Sequence, residues 1–167
     1  MKILILTNFG MGLYKFRKEL IEELINRRFE VYVSVPIDEY KSKIEGLGCK
    51  FIGTPVDRRG TNFLTDFKLV TKYYRIIRKI KPAVVLTYTI KPNIYGGLIC
   101  RFLKTPYICN ITGLGTAVEK KGFLQRFTVV LYKISLKKAN CVFFQNEENR
   151  DFFIKNKIVK GRHRLIP

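Results

Sequence analysis

Four short segments of the 167-residue sequence contain the residue types that could bind an anion or move a proton. They span residues 8–13, 55–62, 88–93 and 112–122, and each follows an apolar run. Glycine pairs, adjacent arginines and a Lys-Pro-Asn turn occur in them. Such groups bind phosphate through backbone N–H groups or through forked guanidinium donors. Phosphate binding is therefore a candidate function of these segments, beside a purely structural role for each.

The first segment contains Gly10 and Gly12. Two such glycines could let the N–H groups of a helix start approach a phosphate, or could simply permit a tight strand-to-helix turn. A dinucleotide-binding fingerprint would need a third glycine where Lys15 stands and an acid where Val35 and Pro36 stand. The NAD-binding interpretation is therefore rejected, and the other two remain open.

The second segment contains Arg58 and Arg59 beside Gly60. Their planar guanidinium groups suit bidentate contacts with a phosphate or pyrophosphate. The alternative is a solvated turn in which they pair with Asp57. Either interpretation fits the residues.

The third segment crowds Thr89, Lys91 and Asn93 into one turn. Lys91 could stabilise negative charge on a phosphoryl or leaving group. A purely structural lysine is the alternative. We take all three residues as candidates for contact with a phosphorylated ligand.

The fourth segment opens with Thr112 and Gly113 and contains Glu119. Glu119 could act as the base for an acceptor hydroxyl. We favour the simpler interpretation that it pairs with Lys120 or Lys121. Thr112, Gly113 and Glu119 nevertheless complete the candidate site.

The cysteines and the single histidine, His163, form no recognisable centre. Cys49, Cys100, Cys109 and Cys141 are scattered without a C-x-x-C pair, so neither a zinc site nor a redox motif has its ligands. We therefore expect no metal, no bound cofactor and reduced, structural thiols. No Ser-His-Asp or Cys-His set can be assembled.

The net charge of +19 is unevenly distributed along the chain. Residues 61–167 hold 21 basic and 5 acidic side chains, and Glu119 is the one acid among 15 basic residues between Phe67 and Asn146. Such a field favours an anionic partner, namely a phosphodiester, a nucleotide phosphate or an anionic membrane leaflet.

The elements that must position these residues alternate between strand and helix. Apolar runs predict strands at 2–7, 30–35, 49–53, 83–89, 105–112 and 140–146, and periodicity predicts helices at 14–28, 36–47, 65–81, 94–103, 123–138 and 147–156. The pattern predicts one domain, 1–167, of the α/β class, with a single doubly wound, Rossmann-like parallel sheet and helices on both faces. No signal peptide or membrane-spanning segment is predicted, so we expect a cytoplasmic protein.

The segment 123–138 has two apolar faces when it is drawn as a helix. We expect one face to pack in the core, formed by Phe123, Phe127, Val130, Leu131 and Ile134. The opposite face is expected to contact a lipid interface; its candidates are Val129, Tyr132 and Leu136 with the flanking Arg126, Lys133 and Lys137. Contact with a neighbouring helix or domain is the alternative.

Three stretches of the sequence together resemble a known family. They are LTYTIKPNIYGGLICRFLKTPYICNITGLGTAVEKKG, the opening KILILTNFGMGLYKFRKEL and VDRRGTN. They look like the N-terminal half of family 4 glycosyltransferases, especially bacterial enzymes that build capsule, O-antigen or other lipid-linked polysaccharides. The resemblance implies a GT-B architecture, in which the N-terminal domain receives the acceptor and the C-terminal domain holds the nucleotide sugar. It also implies a retaining, metal-free reaction in which the donor's phosphate helps to deprotonate the acceptor.

The resemblance also extends to single positions. Gly10 and Gly12 fall at the family's phosphate-approaching loop, and Thr89 and Lys91 fall in its segment after the fourth strand. Thr112 stands where many members have a histidine, so the role of that histidine has no counterpart here.

The sequence stops at RLIP, where relatives continue into the donor domain. We therefore expect the donor-binding domain to be absent, the nucleotide sugar to bind on that missing domain or on a partner polypeptide, and transfer by this chain alone to be negligible.

Together, these features predict the acceptor-binding half of a retaining glycosyltransferase that acts on a polyprenyl-diphosphate-linked saccharide. We expect it to be peripheral on the inner face of the cell membrane. The alternative is a non-catalytic basic α/β module that binds nucleic acid or a partner chain. Nucleic acid is disfavoured because the aromatic residues fall mostly on predicted core faces.

Overall fold

A continuous apolar run builds the first strand of the fold. The computed structural model describes residues 1–58, 62–113 and 122–166, and in it residues 3–6 are at most 4% exposed. They lie in strand β1 (Lys2–Leu6), which pairs in parallel with strand β2 (Glu30–Val35) so that Ile3 stands opposite Val31. Burial on both faces is the environment that a continuous, rather than alternating, apolar run requires.

The chain divides into two compact units, Met1–Leu86 and Thr87–Pro167. In the first unit the strand order is β3-β2-β1-β4, and β2 and β3 are parallel. The other elements of this unit are α1 (Gly10–Asn26), α2 (Lys41–Glu45), β3 (Lys50–Gly53), α3 (Phe63–Ile80) and the first part of β4 (Val84–Tyr88).

The second unit takes up the last residues of β4 and continues in the order β4-β5-β6-β7. It contains a π-helical turn (Pro92–Gly96), α4 (Gly97–Phe102), β5 (Tyr107–Ile111), α5 (Phe123–Leu136), β6 (Cys141–Phe144), α6 (Glu147–Lys155) and β7 (His163–Leu165). Strand β6 is parallel to both β5 and β7. An aromatic cluster centres on Phe153, whose ring lies 5.1 Å from that of Tyr132 and 5.4 Å from that of Phe144.

The predicted α/β, Rossmann-like fold with parallel strands is confirmed, but two helices differ in extent. Helix α1 begins at Gly10 rather than near residue 14, because the Leu13 N–H already bonds to the Phe9 carbonyl at 3.1 Å. Helix α2 is much shorter than the predicted 36–47. The Asp38 carboxylate accepts a hydrogen bond from the Tyr40 N–H at 2.9 Å, a local turn that competes with helix formation.

The four cysteines are buried side chains of the core. Burial raises the pKa of the Cys49 thiol to about 11 and that of Cys109 to about 12. Both thiols are therefore protonated at neutral pH and behave as small apolar groups.

Candidate functional site

A strained corner follows strand β4. Thr89 has a φ of +70°, in the left-handed region that a β-branched residue rarely adopts. Such a conformation costs on the order of 1–3 kcal/mol and persists only where the surroundings enforce it. The Thr89 hydroxyl donates to the Tyr88 carbonyl, and the Thr89 carbonyl accepts from the Asn93 N–H at 3.0 Å. The chain therefore turns sharply at the point where the candidate Lys91 follows the strand.

The Asn93 side chain holds this corner in place. It is 1% exposed; its Oδ1 accepts from the Thr87 hydroxyl at 2.6 Å, and its Nδ2 donates to the Asn110 carbonyl at 2.9 Å. Asn110 in turn donates through Nδ2 to the Thr87 carbonyl at 3.2 Å. The prediction that Asn93 contacts a ligand was therefore wrong, because its amide is buried and engaged between β4 and β5. It positions the turn instead.

The π-helical turn links this corner to a close helix contact. A π-turn within a helix costs hydrogen-bond geometry and is frequently found at functional sites. It is followed by Gly97, where an added Cβ would lie 3.3 Å from both Cβ and the carbonyl oxygen of Ser135. Arg101 donates to the Ile134 carbonyl at 2.9 Å, and the Tyr107 hydroxyl donates to the Ser135 carbonyl at 2.5 Å. Helix α5 is thus fixed against α4 by small residues and by bonds to its own backbone.

The other described candidates of the second unit lie on the surface or near it. Lys91 is half-buried, Thr112 is exposed at the end of β5, and an added Cβ at Gly113 would meet nothing within 4 Å. Glu119 lies outside the described residues. Within this unit, Thr89 and Lys91 therefore flank one turn after β4, and Thr112 with Gly113 follows the neighbouring β5.

In the first unit, Gly10 contacts the carboxylate of Asp38. Its N–H donates to Asp38 Oδ2 at 3.1 Å, and an added Cβ would lie 2.5 Å from both carboxylate oxygens. An added Cβ at Gly12 would lie 3.0 Å from the Phe9 ring. Close packing and a tight turn therefore account for both glycines, and the phosphate role remains a prediction. Asp38 was missed by the sequence analysis, although it follows β2, the parallel neighbour of β1.

Arg58 packs against Phe9, the residue before helix α1. Its guanidinium carbon lies 3.9 Å from the centroid of the Phe9 ring, a cation–π contact over the aromatic face. The first unit thus places Arg58 against Phe9, the residue that precedes Gly10 at the start of α1. Arg59 lies outside the described residues.

Helix α5 presents the face opposite to the one predicted to contact lipid. Tyr132 and Leu136 are 1% and 6% exposed, whereas Phe123 and Phe127 are 85% and 41% exposed. Burial raises the pKa of the Tyr132 hydroxyl, and a hydrogen bond with the Asn93 side chain opposes that rise. The assignment of Tyr132 and Leu136 to a membrane face was therefore wrong, and Val129 is half-buried beside them.

The reason for the reversal is the shape of the inward face. Thr128 and Ser135 are also buried there, and these small side chains allow the close approach to Gly97. The face that the helix leaves exposed is formed by Phe123, Phe127, Val130 and Ile134. We call these four residues the outward face of α5. The three predicted cations beside it are exposed: Arg126, Lys133 and Lys137.

A family comparison covers most of the chain. Residues 2–146 match the family described as glycosyl transferase 4-like. The chain is also 33% identical over 157 residues to the N,N'-diacetylbacillosaminyl-diphospho-undecaprenol alpha-1,3-N-acetylgalactosaminyltransferase of Campylobacter jejuni subsp. jejuni serotype O:2, covering 91% of this chain and 42% of that enzyme. The chain thus spans less than half the length of this relative.

Two solved structures show how widely the fold occurs. A glycosyltransferase from Rickettsia africae matches with a TM-score of 0.75 at 13% identity, over 99% of this chain and 42% of the other. A UDP-GlcNAc 2-epimerase from Methanocaldococcus jannaschii matches with a TM-score of 0.67 at 15% identity, over 99% of this chain and 45% of the other. Since a transferase and an epimerase share it, this likeness shows the fold alone.

Proposed function

Since this chain belongs to the glycosyl transferase 4-like family, we propose that it is the acceptor-binding half of a retaining glycosyltransferase that acts on a polyprenyl-diphosphate-linked saccharide. A nucleotide sugar bound by the donor half supplies the sugar. In the transfer, the bond between the sugar C1 and the donor phosphate breaks and a bond from C1 to the acceptor oxygen forms. The acceptor proton passes to the departing phosphate.

The observation that carries the proposal is the corner at Thr89. Strain in Thr89, the π-helical turn and the buried amide of Asn93 together fix the backbone immediately around Lys91. Ligands of parallel α/β folds collect at the carboxyl ends of the strands. A lysine held at that edge suits the diphosphate of the acceptor. The acceptor in the name of the Campylobacter relative, a diphospho-undecaprenol saccharide, is of the same chemical class.

A peripheral membrane position on the inner face of the cell membrane is part of the same proposal. Within the described part of the chain, no helix is both long enough and apolar enough to span a bilayer. The outward face of α5 instead combines four exposed apolar residues with the cations Arg126, Lys133 and Lys137, and helix α5 contains no acid. An apolar face bordered by cations is typical of a helix that lies in the interface of an anionic leaflet.

Binding of a short-chain acceptor analogue tests the proposal. A water-soluble prenyl-diphosphate-linked N-acetylhexosamine is titrated into the purified chain by calorimetry. We expect Lys91→Ala to weaken binding about tenfold, the equivalent of about 1.4 kcal/mol. Lys155→Ala, which removes an exposed cation of α6 from the same unit, serves as the matched control and should change affinity less than about twofold.

Two results of this titration would contradict the proposal. One is the absence of any binding of the analogue. The other is equal weakening by both variants, which would reduce the effect of Lys91 to the general positive field. A single-stranded oligonucleotide that binds more tightly than the analogue would favour the nucleic-acid module instead.

A further inference from the structure

The first turn of helix α3 exposes three large apolar side chains. Phe63, Leu64 and Phe67 are 77%, 74% and 71% exposed. A single exposed leucine needs no explanation, but a cluster of this kind marks an interaction surface. The helix start that carries this cluster is capped, because the Asn62 side chain accepts hydrogen bonds from the N–H groups of Leu64 at 2.9 Å and Thr65 at 3.4 Å.

The same helix continues into a row of exposed cations. At 3.6 residues per turn, this row lies about 110° around the axis of α3 from its buried residues, and it comprises Lys68, Lys72, Arg75 and Lys79. Phe67 and Thr71 join three of these cations around a shallow groove of about 290 Å³. The acid Asp66 falls on the inward side of the helix by the same spacing and is half-buried.

The inward side shows that this orientation is fixed. Five residues at helical spacing are at most 7% exposed, namely Leu69, Tyr73, Ile76, Ile77 and Ile80. The helix cannot rotate to hide its first turn without exposing them. The apolar cluster and the cations are therefore both presented outward, one after the other along the axis.

We propose that α3 is a docking surface for an anionic bilayer, which it enters by its first turn. Phe63, Leu64 and Phe67 enter the boundary between headgroups and acyl chains, and Lys68, Lys72 and Arg75 bind lipid phosphates. The rise from Phe63 to Phe67 is about 6 Å, which matches the depth of about 5–10 Å at which interfacial helices lie. The Asn62 cap satisfies two N–H groups that would otherwise lose water at that depth.

A lipid surface fits this arrangement better than a nucleic acid does. Single-stranded nucleic acids are bound by aromatic side chains interleaved with cations along a groove. In α3 the exposed phenylalanines lie at the start of the helix and the cations follow them, and Leu64 in the cluster offers no ring for stacking. Of the two tyrosines further along, Tyr73 is buried, and Tyr74 is half-buried and accepts a hydrogen bond from Arg78 at 2.9 Å. Segregation of apolar and cationic residues along the axis is the pattern that a layered interface selects.

The inference rests on the membrane position in the proposed function but not on its acceptor. Vesicles without any lipid-linked saccharide therefore test it separately from Lys91 and the acceptor titration. If those vesicles fail to bind while the acceptor analogue binds, the docking surface is refuted and the proposed reaction stands. If the vesicles bind while the acceptor analogue does not, the acceptor proposal fails and the docking surface stands.

The absence of tryptophan from the sequence provides a direct probe of the first turn. We compare Leu64→Trp with Phe16→Trp, a similarly exposed position on α1, during titration with vesicles of phosphatidylglycerol and phosphatidylcholine. The emission of Leu64→Trp should shift to the blue and be quenched by brominated lipid, while that of Phe16→Trp should not change. A protein that binds the vesicles without a change at Leu64→Trp would overturn the proposal, as would a change produced by an oligonucleotide alone.

Sedimentation with the same vesicles measures how much the apolar cluster and the row of cations each contribute to vesicle binding. Phe63→Ser/Phe67→Ser should weaken binding at least about tenfold, because two aromatic side chains no longer leave water. Lys68→Gln/Lys72→Gln/Arg75→Gln should weaken it about 100-fold on anionic vesicles, at about 1 kcal/mol per cation. The control Lys155→Gln/Lys157→Gln/Lys160→Gln removes the same charge from exposed positions elsewhere. Equal losses in the control and the α3 charge variant would overturn the proposal.

Discussion

Replacing Gly10 by alanine tests the contact between the start of α1 and Asp38. The new methyl group would lie 2.5 Å from both carboxylate oxygens and 2.8 Å from Cγ of Asp38. Non-bonded atoms in a packed protein do not approach that closely, so the carboxylate must swing away. It would then lose its hydrogen bonds from the N–H groups of Gly10 at 3.1 Å and Tyr40 at 2.9 Å.

The size of this effect follows from those two bonds. A hydrogen bond to a charged group contributes about 1.5–3 kcal/mol when it is shielded from water. Asp38 is half-buried, so we expect a combined loss of about 2 kcal/mol in the free energy of unfolding. For a chain of this length the melting temperature should fall by about 4–8 °C. Urea unfolding followed by circular dichroism measures the free energy directly.

A double-mutant cycle distinguishes the clash with Asp38 from a loss of stability that any side chain at residue 10 would cause. In the Asp38→Ala background the obstacle is gone, and alanine is the better helix former by about 1 kcal/mol. Gly10→Ala should there be neutral or slightly stabilising. Equal losses in both backgrounds, or full stability of Gly10→Ala alone, would refute the reasoning.

Three further predictions concern the second unit. Asn93→Ala should lower the free energy of unfolding by about 3 kcal/mol, because it leaves buried partners on β4 and β5 unpaired; unchanged urea unfolding would contradict this. Phe127→Asp/Ile134→Asp should keep stability within about 0.5 kcal/mol per site but weaken sedimentation with anionic vesicles, whereas Tyr132→Asp should unfold the protein; normal vesicle binding by the double variant would exclude this face. Burial raises the pKa of Cys109 to about 12, so at pH 8 its alkylation should be at least about 100-fold slower in the native than in the urea-unfolded chain, since the thiolate is the reactive form; equal rates would show that Cys109 is accessible.

The strands could be predicted from the sequence because burial on both faces leaves a plain signature. The run that forms β1 is apolar without alternation, whereas the run that forms β2 alternates valine with Glu30, Tyr32 and Ser34. The short length and the β-branched residues of both runs favour strands over helices. The start of α1 could not be predicted in the same way. The sequence around Gly10 and Gly12 indicated a loop, and the place of these glycines in a helix becomes clear only from contacts in the fold, with Asp38 beside Gly10 and the Phe9 ring beside Gly12.

The orientation of α5 could not be predicted because the helix has two apolar faces. The face with more phenylalanine is the exposed one, against the usual preference. Which face of α5 packs inward depends on Gly97, which lets Ser135 approach, and on the hydrogen bond from Arg101 to the Ile134 carbonyl. These are contacts between segments distant in sequence, which periodicity within one segment does not contain.

The grouping of three candidate residues after β4 could be predicted from the sequence, but the structural role of each residue could not. Thr89, Lys91 and Asn93 were grouped correctly into one turn, yet Asn93 is buried and positions the others. The left-handed backbone of Thr89 could not be foreseen, because threonine is among the residues least expected there. Strain of this kind is imposed by the surrounding hydrogen bonds, and these exist only once β4 and β5 are formed.

The most direct test of the central claim compares the two kinds of substrate on this chain alone. Calorimetric titration with a prenyl-diphosphate-linked N-acetylhexosamine and, separately, with a nucleotide sugar asks which of them the chain recognises. If the chain is the acceptor half, the prenyl-diphosphate saccharide binds at least about tenfold more tightly than the nucleotide sugar. Tighter binding of the nucleotide sugar would contradict the account.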